Sequence, residues 1–187
     1  MVRRALGTFP EAPSEPDGKA AAVALLLAPG GAGLETLFIR RAVRAGDPWS
    51  GQVALPGGRR EAVDRDLTAT VVRETREEVD VDLRHAERIA ALTDLNPRTP
   101  VLPPIVVRPF VFALPGRPHP RPSSEVQSAF WSPLSDLLAP GVRREINLPI
   151  IGATRTGPAY VLGADTIWGM TERILTTFFE ALINKFA

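Results

Sequence analysis

The chain has 187 residues, 44% apolar and 23% charged, with a formal net charge of +1. That is ordinary for one soluble domain with a core of its own, and it excludes the strongly basic surface of a general nucleic-acid binder. There is no cysteine and there are only two histidines, His85 and His119, which excludes disulfides, thiolate chemistry and a histidine-rich zinc site.

Any bound metal must therefore be held mainly by oxygen, which suits Mg2+ or Mn2+. Residues 1–19 contain no apolar leader core, and Glu11 to Asp17 reads as a flexible lead-in to a single domain over residues 20–187. No run is long and apolar enough to span a bilayer, so the expected location is cytoplasmic and no membrane partner is expected.

Ala20 to Ala28 is apolar and stops at Pro29-Gly30-Gly31, and Leu34 to Arg40 resumes beyond it. Two such runs around a glycine turn predict a β-hairpin. Arg40 to Trp49 reads as a basic loop, with Trp49 against the core or stacked on a base. Gln52 to Leu55 is a brief strand that Pro56-Gly57-Gly58 breaks. Asp66 to Val79 is a helix whose inward stripe is Leu67, Val71, Val72, Thr75 and Val79. Strands follow at Ile89 to Leu95 and Pro104 to Leu114. The proline-rich stretch Gly116 to Ser124 is a loop, and Pro133 to Leu138 a short helix. Tyr160 to Leu162 reads as the last strand, and Gly169 to Phe186 as an amphipathic closing helix. Strands, a helix, more strands and a final helix predict an α/β (α+β) fold with a mixed sheet between helices.

The helix carries Arg73-Glu74-Thr75-Arg76-Glu77-Glu78. At ~100° per residue, Glu78 lies about 40° from Glu74, and Glu77 about 60° to its other side. These three carboxylates share a sector bordering the apolar stripe. Like charges at i,i+4 repel, and burial adds a desolvation cost; a divalent cation turns both into binding energy. A plain solvated face with an Arg73–Glu77 pair is the competing reading of the helix alone. Just upstream, Gly57 and Gly58 would let backbone approach a cation or a phosphate closely.

Taken together, the Gly-Gly loop, the acidic residues Glu61 and Asp64, and the Arg-Glu-x-x-Glu-Glu helix resemble the box of the Nudix hydrolases, G-x5-E-x7-R-E-U-x-E-E-x-G-U, where U is bulky and aliphatic. Gly58 and Arg73 to Val81 supply it. The distance from Gly58 to Arg73 is one residue longer, Thr75 stands at an aliphatic position, and Asp80 stands at the glycine. Glu61 or Asp64 is left to take the first glutamate's place. The upstream Gly51-x3-Leu55-Pro56-Gly57-Gly58 is similar to the coenzyme A pyrophosphatase branch. The arginine portion is out of that branch's register by about one residue and lacks its serine.

The resemblance implies a Nudix-type mixed sheet sandwiched between helices and hydrolysis of a diphosphate in a small nucleotide substrate, with no nucleic-acid partner. It implies Glu74, Glu77, Glu78 and a Gly58 carbonyl as metal ligands and Arg73 as their organiser. Glu74 or Glu125 would serve as the base. Arg40, Arg41 and Arg44, with Gly57, would hold substrate phosphates, including the 3′-phosphate of coenzyme A. ADP-ribose, dinucleotides and oxidised nucleoside triphosphates are alternative substrates, and a non-catalytic nucleotide-binding module is the alternative of another class. Monomer and homodimer both stay open.

Overall fold

The computed structural model describes residues 15–16, 19–47, 49–97, 104–150 and 153–183. The elements in chain order are β1 (Ala20–Gly30), β2 (Gly33–Arg41), β3 (Val53–Ala54), β4 (Gly57–Arg59), α1 (Leu67–Val79), β5 (Glu87–Ala91), β6 (Val106–Ala113), β7 (Val126–Pro133), α2 (Leu134–Leu137), β8 (Arg143–Ile150), β9 (Ala153–Leu162), β10 (Asp165–Trp168) and α3 (Met170–Ile183). Most of the expected lead-in, and the expected continuation of the last helix to Phe186, lie outside the described residues.

The predicted hairpin forms: β1 and β2 pair antiparallel and meet at Gly30 and Gly33. β1 also runs parallel to β6 from Ala20 to Leu27, which makes the sheet mixed. β3, β2, β1, β6 and β5 lie in that order, with β7 added to β2 and β4 to β1. β8, β9 and β10 form a smaller antiparallel sheet.

Period-two alternation splits the main sheet into two buried faces. Ala20, Ala22, Ala24 and Leu26 of β1 pack with Phe110 and Phe112 against Leu67, Val71 and Val79 of α1. Ala21, Leu25 and Leu27 face the other way, toward Ile167 of the smaller sheet and Ile174, Leu175 and Phe178 of α3. The expected layering of helix, mixed sheet and helix is therefore present.

Several stretches differ from the sequence reading. Pro56-Gly57-Gly58 does not simply end a strand; Gly57 to Arg59 form β4, paired with Ala21 to Val23. β7 and β8 were not expected. Tyr160 to Leu162 is the end of the longer β9, and β10 follows it. The strand expected at Ile89 to Leu95 stops at Ala91, leaving Leu95 as an isolated bridge to Val107. No helix among the described residues is long and apolar enough to cross a membrane.

The insertion of β4 positions the site. β1 pairs with β2 only through Leu27 to Gly30 and with β4 through Ala21 to Val23. The two partners share one edge, and the Ala24 N–H donates to the Pro56 carbonyl at 2.8 Å where they separate. The Gly-Gly segment is thereby fixed in the split between β1 and β2.

Candidate active site

α1 is anchored at both ends. Asp66 caps its start, its Oδ1 accepting the Ala69 N–H at 2.7 Å. Asp80 ends it in the left-handed conformation at φ 56°, which an aspartate tolerates better than most residues. The proline-rich loop then returns to the helix end. The Arg121 N–H donates to the Val79 carbonyl at 2.8 Å and the Ser123 N–H to the Glu78 carbonyl at 2.9 Å. Two carbonyls that the helix leaves without partners are thus satisfied, and the same return carries Glu125 to the C-terminal turn of α1.

Glu78 points inward and is 5% exposed. Its Oε2 accepts the Gly57 N–H at 2.8 Å. Burial pushes its carboxyl up to about 7 against that hydrogen bond; the Glu74 and Glu125 carboxylates push the same way, and Arg41 opposes them. Burial also raises Glu74, against the pull of Arg73. The carboxylate of Glu74 lies directly against Gly58, where any Cβ would overlap it. A Cβ on Gly57, at φ 146°, would overlap the backbone of Ala22 and Val23.

Arg73 organises the acidic side. Its Nε and Nη2 donate to the two oxygens of Asp64 at 3.0 and 2.9 Å. Its Nη1 donates to Glu74 at 3.0 Å and Glu77 at 2.9 Å, and Nη2 also reaches the Arg59 carbonyl at 3.0 Å. Of the two acidic loop residues, Asp64 is the one buried on Arg73. Glu61 is 63% exposed and 3.8 Å from Nη1. The extra residue of the longer spacing therefore falls between Asp64 and Arg73, where the chain enters the helix.

The remaining candidates divide by face. Alternation along β2 sends Arg40 to the side of the smaller sheet, where it pairs with Asp165 and donates to the Gly51 carbonyl. Arg41 lies on the α1 side, where its charge reaches Glu78. Arg41 Nη2 holds Asp47 at 3.1 Å, and its buried Nε has no partner among the described residues. Arg44 pairs with Glu125 at 3.1 Å, and Glu125 is 60% exposed. Arg41 and Arg44 thus join Glu78 and Glu125, while Arg40 does not. Glu77 is 58% exposed and tied to Arg73, on the outer side of the cluster from Glu78. Trp49 is half-buried outside the core clusters, and His85 and His119 are exposed.

Among the described residues, no three acidic or histidine side chains are already gathered at ligand spacing. The donors nonetheless fit a hard divalent cation. Glu78 and Glu74 are carboxylates that burial raises, so a positive charge between them would relieve a cost the fold carries. The glycine backbone at residues 57–58 lies in contact with both.

Residues 17–150 match the model of the NUDIX domain. An uncharacterized Nudix hydrolase, NudL, of Photorhabdus laumondii is 30% identical over 142 residues, covering 75% of this chain and 73% of that protein. An uncharacterized protein of Schizosaccharomyces pombe is 43% identical over 117 residues, 60% of this chain, and the match spans only 36% of that longer protein. Among solved structures, a MutT/nudix family protein from Enterococcus faecalis superposes with a TM-score of 0.61 at 19% identity, over 94% of this chain and 66% of its own. The NUDIX domain of Shewanella oneidensis NrtR, solved with ADP ribose, gives 0.53 at 21% identity over 72% of this chain and 84% of its own. At these identities the structures show a shared fold.

Proposed function

The chain belongs to the NUDIX family, and from that premise we propose that it is a Mg2+- or Mn2+-dependent diphosphohydrolase acting on coenzyme A or a related nucleoside diphosphate derivative. The observation that carries this reading is the buried carboxylate of Glu78, pushed up to about 7 and facing Glu74 across the Gly57–Gly58 backbone. Once ionised, a carboxylate so placed costs the fold stability that a bound cation would restore.

Glu78 and Glu74 would hold the cation with a carbonyl of the Gly57–Gly58 segment, and Glu77 would contribute through solvent. A bound cation supplies charge neutralisation on the phosphoryl oxygens and lowers the pKa of the attacking water. Arg73 fixes Glu74 and keeps the helix face in register. Glu125 is free of that coordination and open to solvent, and its charge reaches Glu78; it is the proposed base that takes the proton from the attacking water. Arg41 and Arg44 face the same space and would hold substrate phosphates, with Arg44 exchanging Glu125 for the phosphate. Arg40 belongs to the strut toward Asp165.

The test is product analysis with Mg2+ or Mn2+ on coenzyme A, ADP-ribose, NADH and 8-oxo-dGTP. Release of 3′,5′-ADP from coenzyme A establishes that substrate. Cleavage of another compound instead keeps the chemistry and rejects coenzyme A. No cleavage of any of them, with metal bound, favours the nucleotide-binding module.

A further inference from the structure

We propose that the outer face of α1 carries a second anion site, a groove that takes a phosphorylated small molecule with an apolar or aromatic body. Thr68, Ala69, Val72 and Arg76 lie roughly 120–160° around the helix from Glu74, so this face points away from the carboxylate site and meets it only at Arg73. There they open onto a groove of about 530 Å³ closed by the Asp82–Arg88 stretch and Phe112. That volume is in the range of small-molecule sites.

The charge on the groove is one-sided. Five arginines and one aspartate line it. Two of the arginines are already used: Arg73 by Asp64, Glu74 and Glu77, and Arg84 by Asp82 at 2.6 Å. Arg65 is 86% exposed and has Asp66 at 3.3 Å. Arg76 and Arg88 form no ion pair among the described residues, although the charge of Arg76 also reaches Asp82.

Arg88 is also prearranged. Its Nη1 donates to Thr68 Oγ1 at 2.8 Å, and its guanidinium lies 5.8 Å from the centre of the Phe110 ring, which holds the fork in place at little further entropic cost. Two guanidinium groups facing one cleft match a phosphomonoester dianion better than a single carboxylate. Between them the floor is apolar: Leu83 and Phe112 are buried beneath it, and Val72 and Ala86 stay half-buried at its surface. Bare phosphate would leave Val72 and Ala86 in water; a nucleoside or similar body would cover them.

The test is calorimetric titration of the metal-free protein with AMP, with adenosine and inorganic phosphate as separate arms, on wild type, Arg76→Ala and the double variant Arg76→Ala/Arg88→Ala. Repeating it in Glu78→Gln separates the groove from the carboxylate site. AMP is expected to bind wild type and Glu78→Gln alike and to weaken roughly tenfold in Arg76→Ala and further in the double variant. Adenosine and phosphate are each expected to bind more weakly than AMP. Diphosphatase turnover should be unchanged in both groove variants. AMP affinity unchanged in a folded Arg76→Ala and in the double variant, no AMP binding to wild type, or phosphate binding as tightly as AMP would each overturn the proposal. None of these results depends on which diphosphate the enzyme cleaves.

Discussion

Arg73 holds Asp64, nine residues upstream, by both carboxylate oxygens at 3.0 and 2.9 Å. The pair ties the loop after the Gly-Gly segment to the helix bearing Glu74 and Glu78. Arg73 pulls the Asp64 carboxyl down to about 2. An aspartate with a lowered folded pKa contributes stability above its unfolded value near 3.8, and that stability is lost as pH falls toward 2. Asp64→Asn is expected to remove about 2 kcal/mol at neutral pH and to flatten the acid limb between pH 4 and 2. Arg73→Ala should cost about 3 kcal/mol, with Arg73→Lys a poor rescue because the fork is lost. Urea unfolding across that pH range measures both.

Glu78 has the opposite sign. Its folded value, raised to about 7, means that the metal-free fold is favoured below pH 4.5 by a neutral carboxyl and loses that advantage as pH rises through 7. Glu78→Gln keeps an acceptor for the Gly57 N–H and removes the charge. It is expected to stabilise metal-free protein at pH 8 by on the order of 2 kcal/mol and to have little effect at pH 4. Thermal melts in a chelator at the two pH values show this, and equal shifts at both would contradict it.

Gly57 and Gly58 are adjacent and should fail differently. A Cβ on Gly57 meets the backbone of Ala22 and Val23, whereas one on Gly58 meets the end of the Glu74 side chain. Backbone cannot yield cheaply and a side chain can. Gly57→Ala is therefore expected to destabilise by about 2 kcal/mol or more. Gly58→Ala should leave stability within about 1 kcal/mol and instead displace Glu74, weakening divalent-cation affinity. Melting and metal titration of the two variants separate the outcomes.

Arg40 and Arg44 provide a further contrast. Arg44→Ala is expected to raise KM for the cleaved substrate roughly tenfold, the loss of one charge-assisted phosphate contact. Arg40→Ala should leave KM alone and lower stability by up to about 1 kcal/mol, since its partner Asp165 and the pair itself are partly solvated. Steady-state kinetics on the two variants decides, and a KM effect for Arg40→Ala would place it in the substrate site after all.

The hairpin and α1 were legible because both have an unbroken hydrophobic period, and Asp80 stood out because it takes the place of a glycine, a local backbone requirement. The arginines at 40, 41 and 44 looked like one cluster because adjacency in sequence hides strand alternation; only the pairing of β2 shows that Arg40 and Arg41 face opposite sides. β8 and much of β9 escaped notice because Arg143, Arg144, Glu145, Asn147, Thr154, Arg155 and Thr156 offer no apolar alternation. β7 escaped because its Gln127-Ser128 stretch is exposed. Asp64 stood out only as an acidic loop residue, since its bond to Arg73 depends on how the loop folds back.

The most direct test of the proposed site is titration of Mn2+ into wild type, Glu78→Gln and Glu125→Gln at pH 8, followed by paramagnetic resonance. If Glu78 and Glu74 hold the cation and Glu125 is the base, Glu78→Gln should weaken binding by tenfold or more, and Glu125→Gln should bind Mn2+ like wild type while losing turnover. Mn2+ binding unchanged by Glu78→Gln would contradict the assignment of the metal site to the inner face of α1.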